Sequence, residues 1–270
     1  MPTDVVAAQT VSLFFFAHQD DEFGVFQKIL DERCAGRRVL CAYLTDGAVN
    51  GKPAARRDRE SLAVLRQLGV KEEDVFFMGP ALGISDGCLP ENLTRSTAWM
   101  YQWTGQFAHL AAIYLPAWEG GHHDHDALHA AGVLIAQQLQ LLHVVRQFSL
   151  YNGFKCRGPF FRVLQPLPQN GPVHCVTIAR LNRFRFLHYC LSYPSQKATW
   201  LGLFPFVSLH YLFSGTQALQ PVSPERLAYR PHDGPLYYEK RGFYTWQQMK
   251  SQLGRLLTSK AGQAGQDGPP

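Results

Sequence analysis

Two short stretches of the chain concentrate side chains that can do chemistry. The first is AHQDDEF, residues 17–23, where a histidine and three acids follow a run of phenylalanines. The second is WEGGHHDHDALH, residues 118–129, which holds four of the eleven histidines. Imidazole nitrogen and carboxylate oxygen together suit zinc, and a catalytic zinc typically keeps three protein ligands and an open position for water. His18 and Asp21 lie three residues apart, where a turn can aim both inward. An acidic helix start explains Asp20, Asp21 and Glu22 equally well, since carboxylates favour the positive end of the helix dipole. It does not explain a histidine on the tip of an apolar strand. In the second stretch His125 and His129 are i and i+4, so a two-histidine pair on one helix face competes with a site joining His125 to His18 and Asp21. In the latter case ligands from two strand ends leave a coordination position open. His129 is then a helix-face residue, and His123 points to solvent.

The elements that must position these groups alternate. Val11 to Ala17 reads as a buried strand, Asp21 to Ala35 as a helix, Val39 to Thr45 as a strand closed by Asp46-Gly47, and Ala54 to Leu68 as a charged amphipathic helix. Val75 to Met78 follows as a strand, Glu91 to Leu110 as largely helical, Ala111 to Pro116 as a strand, Asp124 to Leu142 as a helix and Val145 to Tyr151 as a strand. Such alternation, with strands rich in Val, Leu, Ile and Phe, predicts an α/β fold: a mostly parallel sheet covered by helices on both faces. Both chemical stretches then follow strands at the carboxyl edge, where ligands of open parallel sheets bind. A nucleotide site would need a glycine-rich loop after the first strand, and HQDDE would repel phosphate there.

After Asn152 the pattern breaks into prolines and turns, then a strand-like VHCVTIARL, helical segments from about Asn182 to Phe213, and one final amphipathic helix within YEKRGFYTWQQMKSQLGRLL. This half is expected to elaborate the sheet, giving one domain over residues 1–260 with its core in 10–152 and a disordered tail over 261–270. The uncharged TWLGLFPFVSLHYLF, residues 199–213, is read as a buried helix pair, with an interfacial or oligomer surface as the second reading.

Composition narrows the class. With 46% hydrophobic and 17% charged residues, the 270-residue chain is expected to fold around a sizeable core. A net charge of +5 permits an anionic substrate, but the basic residues form no long run, so nucleic acid is not indicated. Six cysteines without a C-x-x-C pair are expected to be reduced. The short apolar run at Val11 reads as a strand, not a signal peptide, and no stretch approaches the ~20 apolar residues of a membrane span. A cytoplasmic protein is the expectation.

AHQDDE, TDGAVNG, RRDRESLAVLRQLGV and HHDHDALHAAG together resemble the motifs of the PIG-L/LmbE-like N-deacetylases over about residues 10–150. The family's first motif is H-P-D-D and its second H-P-D-H; here Gln19 and His123 replace the two prolines, which shape turns and bind nothing. The resemblance implies a Rossmann-like three-layer fold. It implies that His18, Asp21 and His125 bind Zn²⁺ or another divalent metal, that Asp20 is the general base, and that His122 lies near the oxyanion. It also implies that Arg57 contacts substrate. The expected reaction is hydrolysis of the acetamido group of an N-acetylated amino sugar, nucleotide sugar or glycolipid to a free amine and acetate. Another amide hydrolase on the same scaffold, or a non-catalytic sugar-binding protein, are the alternatives. Asp46 is read with equal weight as a group bonding a histidine or a sugar hydroxyl or as an ordinary Asp-Gly turn. Trp118 and Glu119 could flank a sugar, although an aromatic at a strand end more often packs; Asp124 could orient a histidine, and His232 could line the pocket but is expected on a surface loop.

Overall fold

Val11–Phe16 forms the central strand, β1, and every one of its side chains is buried. Alternation sends its phenylalanines to opposite faces. Phe14 stacks on Tyr114 with ring centroids 4.4 Å apart, and Phe16 meets Tyr43 at 5.1 Å, while Phe15 meets Trp103 edge-on at 5.5 Å. Burying each such ring is worth roughly 1.5–3 kcal/mol, so β1 anchors two cores at once. The structure is a computed structural model that describes residues 9–48 and 54–264.

After β1 come α1 (Phe26–Cys34), β2 (Arg38–Tyr43), α2 (Ala54–Gln67), β3 (Val75–Phe77), the short α3 (Gly79–Leu82), α4 (Leu93–Thr104), β4 (Leu110–Pro116), α5 (His123–Gln138) and β5 (Val145–Phe148). Then follow β6 (Tyr151–Asn152), β7 (Arg162–Val163), β8 (His174–Thr177), α6 (Arg180–Cys190), α7 (Lys197–Leu209), β9 (Thr216–Pro221), α8 (Tyr237–Lys240) and α9 (Trp246–Ala264). Seven strands join in the order β3-β2-β1-β4-β5-β9-β8. The pairs from β3 to β5 are parallel, whereas β9 runs antiparallel to β5 and β8 antiparallel to β9. One buried cluster gathers side chains of α4, α5 and α9, and the other those of α1, α2, α6 and α7. The expected α/β three-layer architecture is therefore present. Because the chain leaves β1 toward β2 on one side and returns to β4 on the other, the β1/β4 boundary is the switch point at which a crevice opens.

Several expectations need correction. The first helix starts late: Asp21–Gly24 is a 3-10 turn, and α1 begins at Phe26. The polar, proline-ended Thr216–Pro221 was not expected as a strand, yet it bridges β5 and β8. The final amphipathic segment is two helices, broken at Gly242, which has φ 68°. Helix α9 runs through Ala264, and residues 265–270 of the expected tail lie outside the described residues. The uncharged 199–213 stretch is not a buried pair: α7 carries Pro205 inside it and continues into a π turn, His210–Ser214, with an apolar face left exposed.

Candidate metal centre

The turn after β1 is held by its own carboxylate. Asp21 Oδ2 accepts the backbone N–H groups of Ala17 (2.9 Å) and His18 (2.8 Å), which leaves Oδ1 directed away from the strand. Asp20, between the two, takes φ 119° and ψ −11°, a left-handed conformation that is costly for a non-glycine residue and is typical of functional turns. Across the switch point, His122 caps α5 by accepting the Asp124 N–H at Nδ1 (3.2 Å). That bond puts the proton of a neutral His122 on Nε2. One turn later α5 brings His125 back to β1.

Three atoms converge. His18 Nδ1 lies 3.2 Å from His125 Nε2, His125 Nε2 lies 2.9 Å from Asp21 Oδ1, and His18 Nδ1 lies 3.7 Å from Asp21 Oδ1. Neighbouring ligand atoms on a tetrahedral zinc with ~2.0–2.1 Å bonds sit about 3.3 Å apart, so this spacing fits. The second nitrogen of His18 is fixed from outside: Nε2 lies 2.9 Å from Asp124 Oδ2 and 3.3 Å from Asp86 Oδ1. In neutral His18 the proton then belongs on Nε2 and the lone pair on Nδ1, as a carboxylate-oriented metal ligand requires. Asp124 thus does the orienting work expected of it.

A second cluster could be drawn from His18, Asp86, His122 and Asp124. Its carboxylates are already committed. Asp124 accepts the N–H groups of Gly87 (2.7 Å) and Leu89 (3.0 Å), one on each oxygen, and Asp86 accepts from Arg57 Nη1 at 2.8 Å. This set frames the first rather than competing with it.

The electrostatics favour a cation. Asp20, Asp21, Asp86 and Asp124 surround His18, and Arg57 faces Asp20 and Asp86. Burial alone would lower the His18 pKa, but Asp86, Asp124 and Asp21 outweigh it and raise it well above the ordinary value. Burial opposes ionisation of Asp21, yet His125 and His18 hold its carboxyl well below the usual range. For Asp20 burial wins, with Asp21 and Glu22 adding and Arg57 opposing, and the carboxyl is pushed up to about 8. Its side chain makes no hydrogen bond among the described residues; Arg57 Nη2 stands 3.5 Å from Oδ1.

The other predicted residues fall as follows. Arg57 is buried and braced: Nη1 also donates to Gly47 O (2.9 Å), and Nη2 to Gln19 O (2.9 Å). Asp46 accepts at Oδ1 from the N–H groups of Ala48 (2.8 Å) and Asp86 (3.1 Å), which makes it a loop tie. Gln19 and His123, in the proline positions, hold the turns by other means. Gln19 Nε2 donates to Asp58 (2.8 Å), while His123 stacks on His122 and Tyr244, with Nε2 2.9 Å from Gly87 O. His123 is therefore buried, not solvent-facing. His129 packs inward with Nδ1 2.9 Å from Pro116 O and takes no part in the trio. Trp118 and Glu119 are fully buried and cannot flank a ligand; Glu119 instead accepts from Leu150 N (2.7 Å), Tyr151 N (3.0 Å) and Asn152 Nδ2 (3.1 Å). His232 is buried against Phe154, not on a surface loop.

Two contributors went unread in the sequence. Asp86 links His18 to Arg57 from an ordinary-looking Ser-Asp-Gly turn. Tyr151 meets His125 edge-on, with ring centroids 5.7 Å apart. Neither carries a local signal, because each partner is remote in sequence.

Residues 13–136 match the family model described as PIG-L: GlcNAc-PI de-N-acetylase, a span that includes every residue named in the trio. Comparison with curated proteins finds no match. Among solved structures, the zinc-inhibited form of teicoplanin deacetylase is similar with a TM-score of 0.60 at 16% identity, covering 79% of this chain and 98% of that one. The A40926 pseudoaglycone deacetylase gives 0.58 at 17% identity, with 80% and 98% covered. The N,N'-diacetylchitobiose deacetylase from Pyrococcus horikoshii gives 0.56 at 16% identity, with 82% and 86% covered. Sequence match and shared fold thus meet on the same strand ends: residues 13–136 are similar to the PIG-L family model, and the chain shares its fold with solved deacetylases.

Proposed function

We propose that the protein is a metal-dependent N-deacetylase that hydrolyses the acetamido group of an N-acetylated amino sugar or a conjugate carrying one. The observation that carries this reading is the convergence of His18 Nδ1, Asp21 Oδ1 and His125 Nε2 beside the unbonded carboxylate of Asp20. His18, Asp21 and His125 would hold the metal, with zinc the first choice. Bound zinc supplies Lewis-acid polarisation of a carbonyl and a water of lowered pKa. Asp20 takes the proton of the attacking water and passes it to the departing amine, a role open to it because, among the described residues, its carboxylate is bound to no backbone or side-chain donor beyond Arg57 at 3.5 Å. His122 Nε2–H donates to the oxyanion that forms on the carbonyl, a contribution of about 2.7–4 kcal/mol for one well-placed donor. Arg57 and Asp46 act here mainly by holding the loops at 19, 47 and 86 around the crevice, and Arg57 adds a positive edge for the substrate.

The description of the family model and the names of the solved neighbours, deacetylases of sugar-bearing compounds, support the same class. The six free cysteines support a reducing, cytoplasmic setting. Incubating metal-loaded protein with N-acetylglucosamine conjugates, nucleotide sugars and lipid-linked sugars, and reading acetate and amine together, tests the reading. Equal release of both from at least one N-acetylated sugar is expected. Release only from non-sugar amides would assign a different amide hydrolase, and no release from any would remove the activity.

A further inference from the structure

Between Asp126 and Glu225 the chain contains no aspartate or glutamate but eight lysines and arginines. Outside that span acids outnumber bases, so the positive charge of the molecule is concentrated there. The same span contains α6 and α7. From Ala198 to Pro224 there is no lysine, arginine or acid. Helix α7 buries one face through Trp200, Leu203 and Val207, and its π turn buries Tyr211. The opposite face is also apolar: Leu201 is 81% and Phe213 80% exposed, with Leu209 and Leu212 exposed between them. A helix apolar on both faces is ordinarily covered on both. On α6, Leu181, Phe184 and Leu191 are exposed as well, interleaved with exposed Arg180 and Arg185, and Lys197 opens α7.

We infer that the outer face of α6 and α7 is a peripheral membrane surface that seats on anionic lipid. Three observations favour this occupant. Exposed leucines and phenylalanines beside arginines make up the pattern of an interfacial helix, in which apolar groups enter the acyl boundary while cations meet headgroups. Helix α7 has 13 residues, well under the ~20 needed to cross a bilayer, and no helix among the described residues is long and apolar enough to cross. A second copy would bring together two helix pairs that carry arginines and lysine but no acid of their own, and that repulsion is absent on an anionic bilayer. The surface also has a route to the site. Trp200 meets Phe23 at 5.2 Å, behind the turn that holds Asp21, and Phe206 meets Phe161, which packs on Tyr151 beside His125. The inference does not depend on the chemistry assigned to the metal centre.

The full chain is to be sedimented with vesicles of phosphatidylcholine alone and of phosphatidylcholine mixed with phosphatidylserine, at about 0.1 M and ~1 M salt. Binding to the mixed vesicles is expected to exceed binding to the neutral ones by about tenfold or more and to fall with salt. The L201Q/F213Q and R180Q/R185Q pairs should each lower it by about tenfold or more while the thermal midpoint stays within a few degrees, since these side chains are largely in solvent. Equal binding to both vesicle types, or binding that neither pair reduces, would overturn the proposal. So would a dimer in sedimentation velocity that L201Q/F213Q dissociates while wild type ignores vesicles.

Discussion

Asp20 differs from its neighbours in being neither a convergent ligand nor hydrogen-bonded. It occupies a left-handed backbone position, with its carboxylate beside Arg57 and next in sequence to Asp21. A proton-transferring group must be free to change charge, and Asp20 is the carboxylate of this cluster with that freedom. Asp20→Asn is therefore expected to lower acetate release by about 10²–10⁴-fold while zinc content by mass spectrometry stays at the wild-type level; an active Asn variant removes the base assignment. Asp86 acts through His18. Asp86→Asn weakens the hold on His18 Nε2 and on Arg57, so equilibrium dialysis should give a zinc affinity about 10–100-fold weaker with the fold intact. An unchanged affinity would reduce Asp86 to a loop tie. The sequence made His18, Asp20, Asp21 and His125 readable because two ligand-rich stretches followed two predicted strands. It hid Asp86, because an Asp-Gly turn looks alike whether or not a histidine from 68 residues away leans on it.

At the scale of elements, close backbone approach aligns the two strand ends. A Cβ on Gly121 would lie 2.0 Å from the carbonyl oxygen of Tyr151, at the entrance to the His122–His125 turn. Gly121→Ala must push that turn off β6. A loss of about 1–3 kcal/mol in urea denaturation is expected, together with weaker zinc binding; a variant with wild-type stability and metal affinity would mean the turn tolerates displacement. The elements themselves were legible to differing degrees. β1, β2, β4 and α5 announced themselves through continuous apolar runs and helical spacing. Thr216–Pro221 did not, because Thr216, Gln217 and Gln220 leave it no apolar run and a proline ends it; pairing with β5 and β8 decides its form. Helix α7 misled in the opposite sense, since apolar composition implied burial where the fold leaves one face outside.

At the scale of the molecule, acid stability should depend on Glu32. From α1 it reaches under the sheet and accepts from Ser12 Oγ (2.5 Å) and Tyr114 OH (2.8 Å), with Arg37 and Lys28 beside it. Burial opposes its ionisation, but Ser12, Arg37 and Lys28 outweigh this and bring the carboxyl down to about 2. A folded pKa below the unfolded one contributes stability that is complete above about 4.5 and lost as pH falls toward about 2. Urea titrations should show wild type losing stability through that window, with Glu32→Gln less stable at neutral pH and flatter below it; parallel curves would contradict the assignment.

The proposed chemistry requires the crevice at the β1/β4 switch point to hold one metal between two remote motifs. Zinc content per chain after exhaustive dialysis, compared between wild type and His125→Ala, tests this most directly. About one zinc per wild-type chain and a small fraction of that in the variant is the result expected of a three-ligand site. Wild type that retains no divalent metal under any loading condition, or a His125→Ala variant that retains all of it, would contradict a metal centre built by His18, Asp21 and His125.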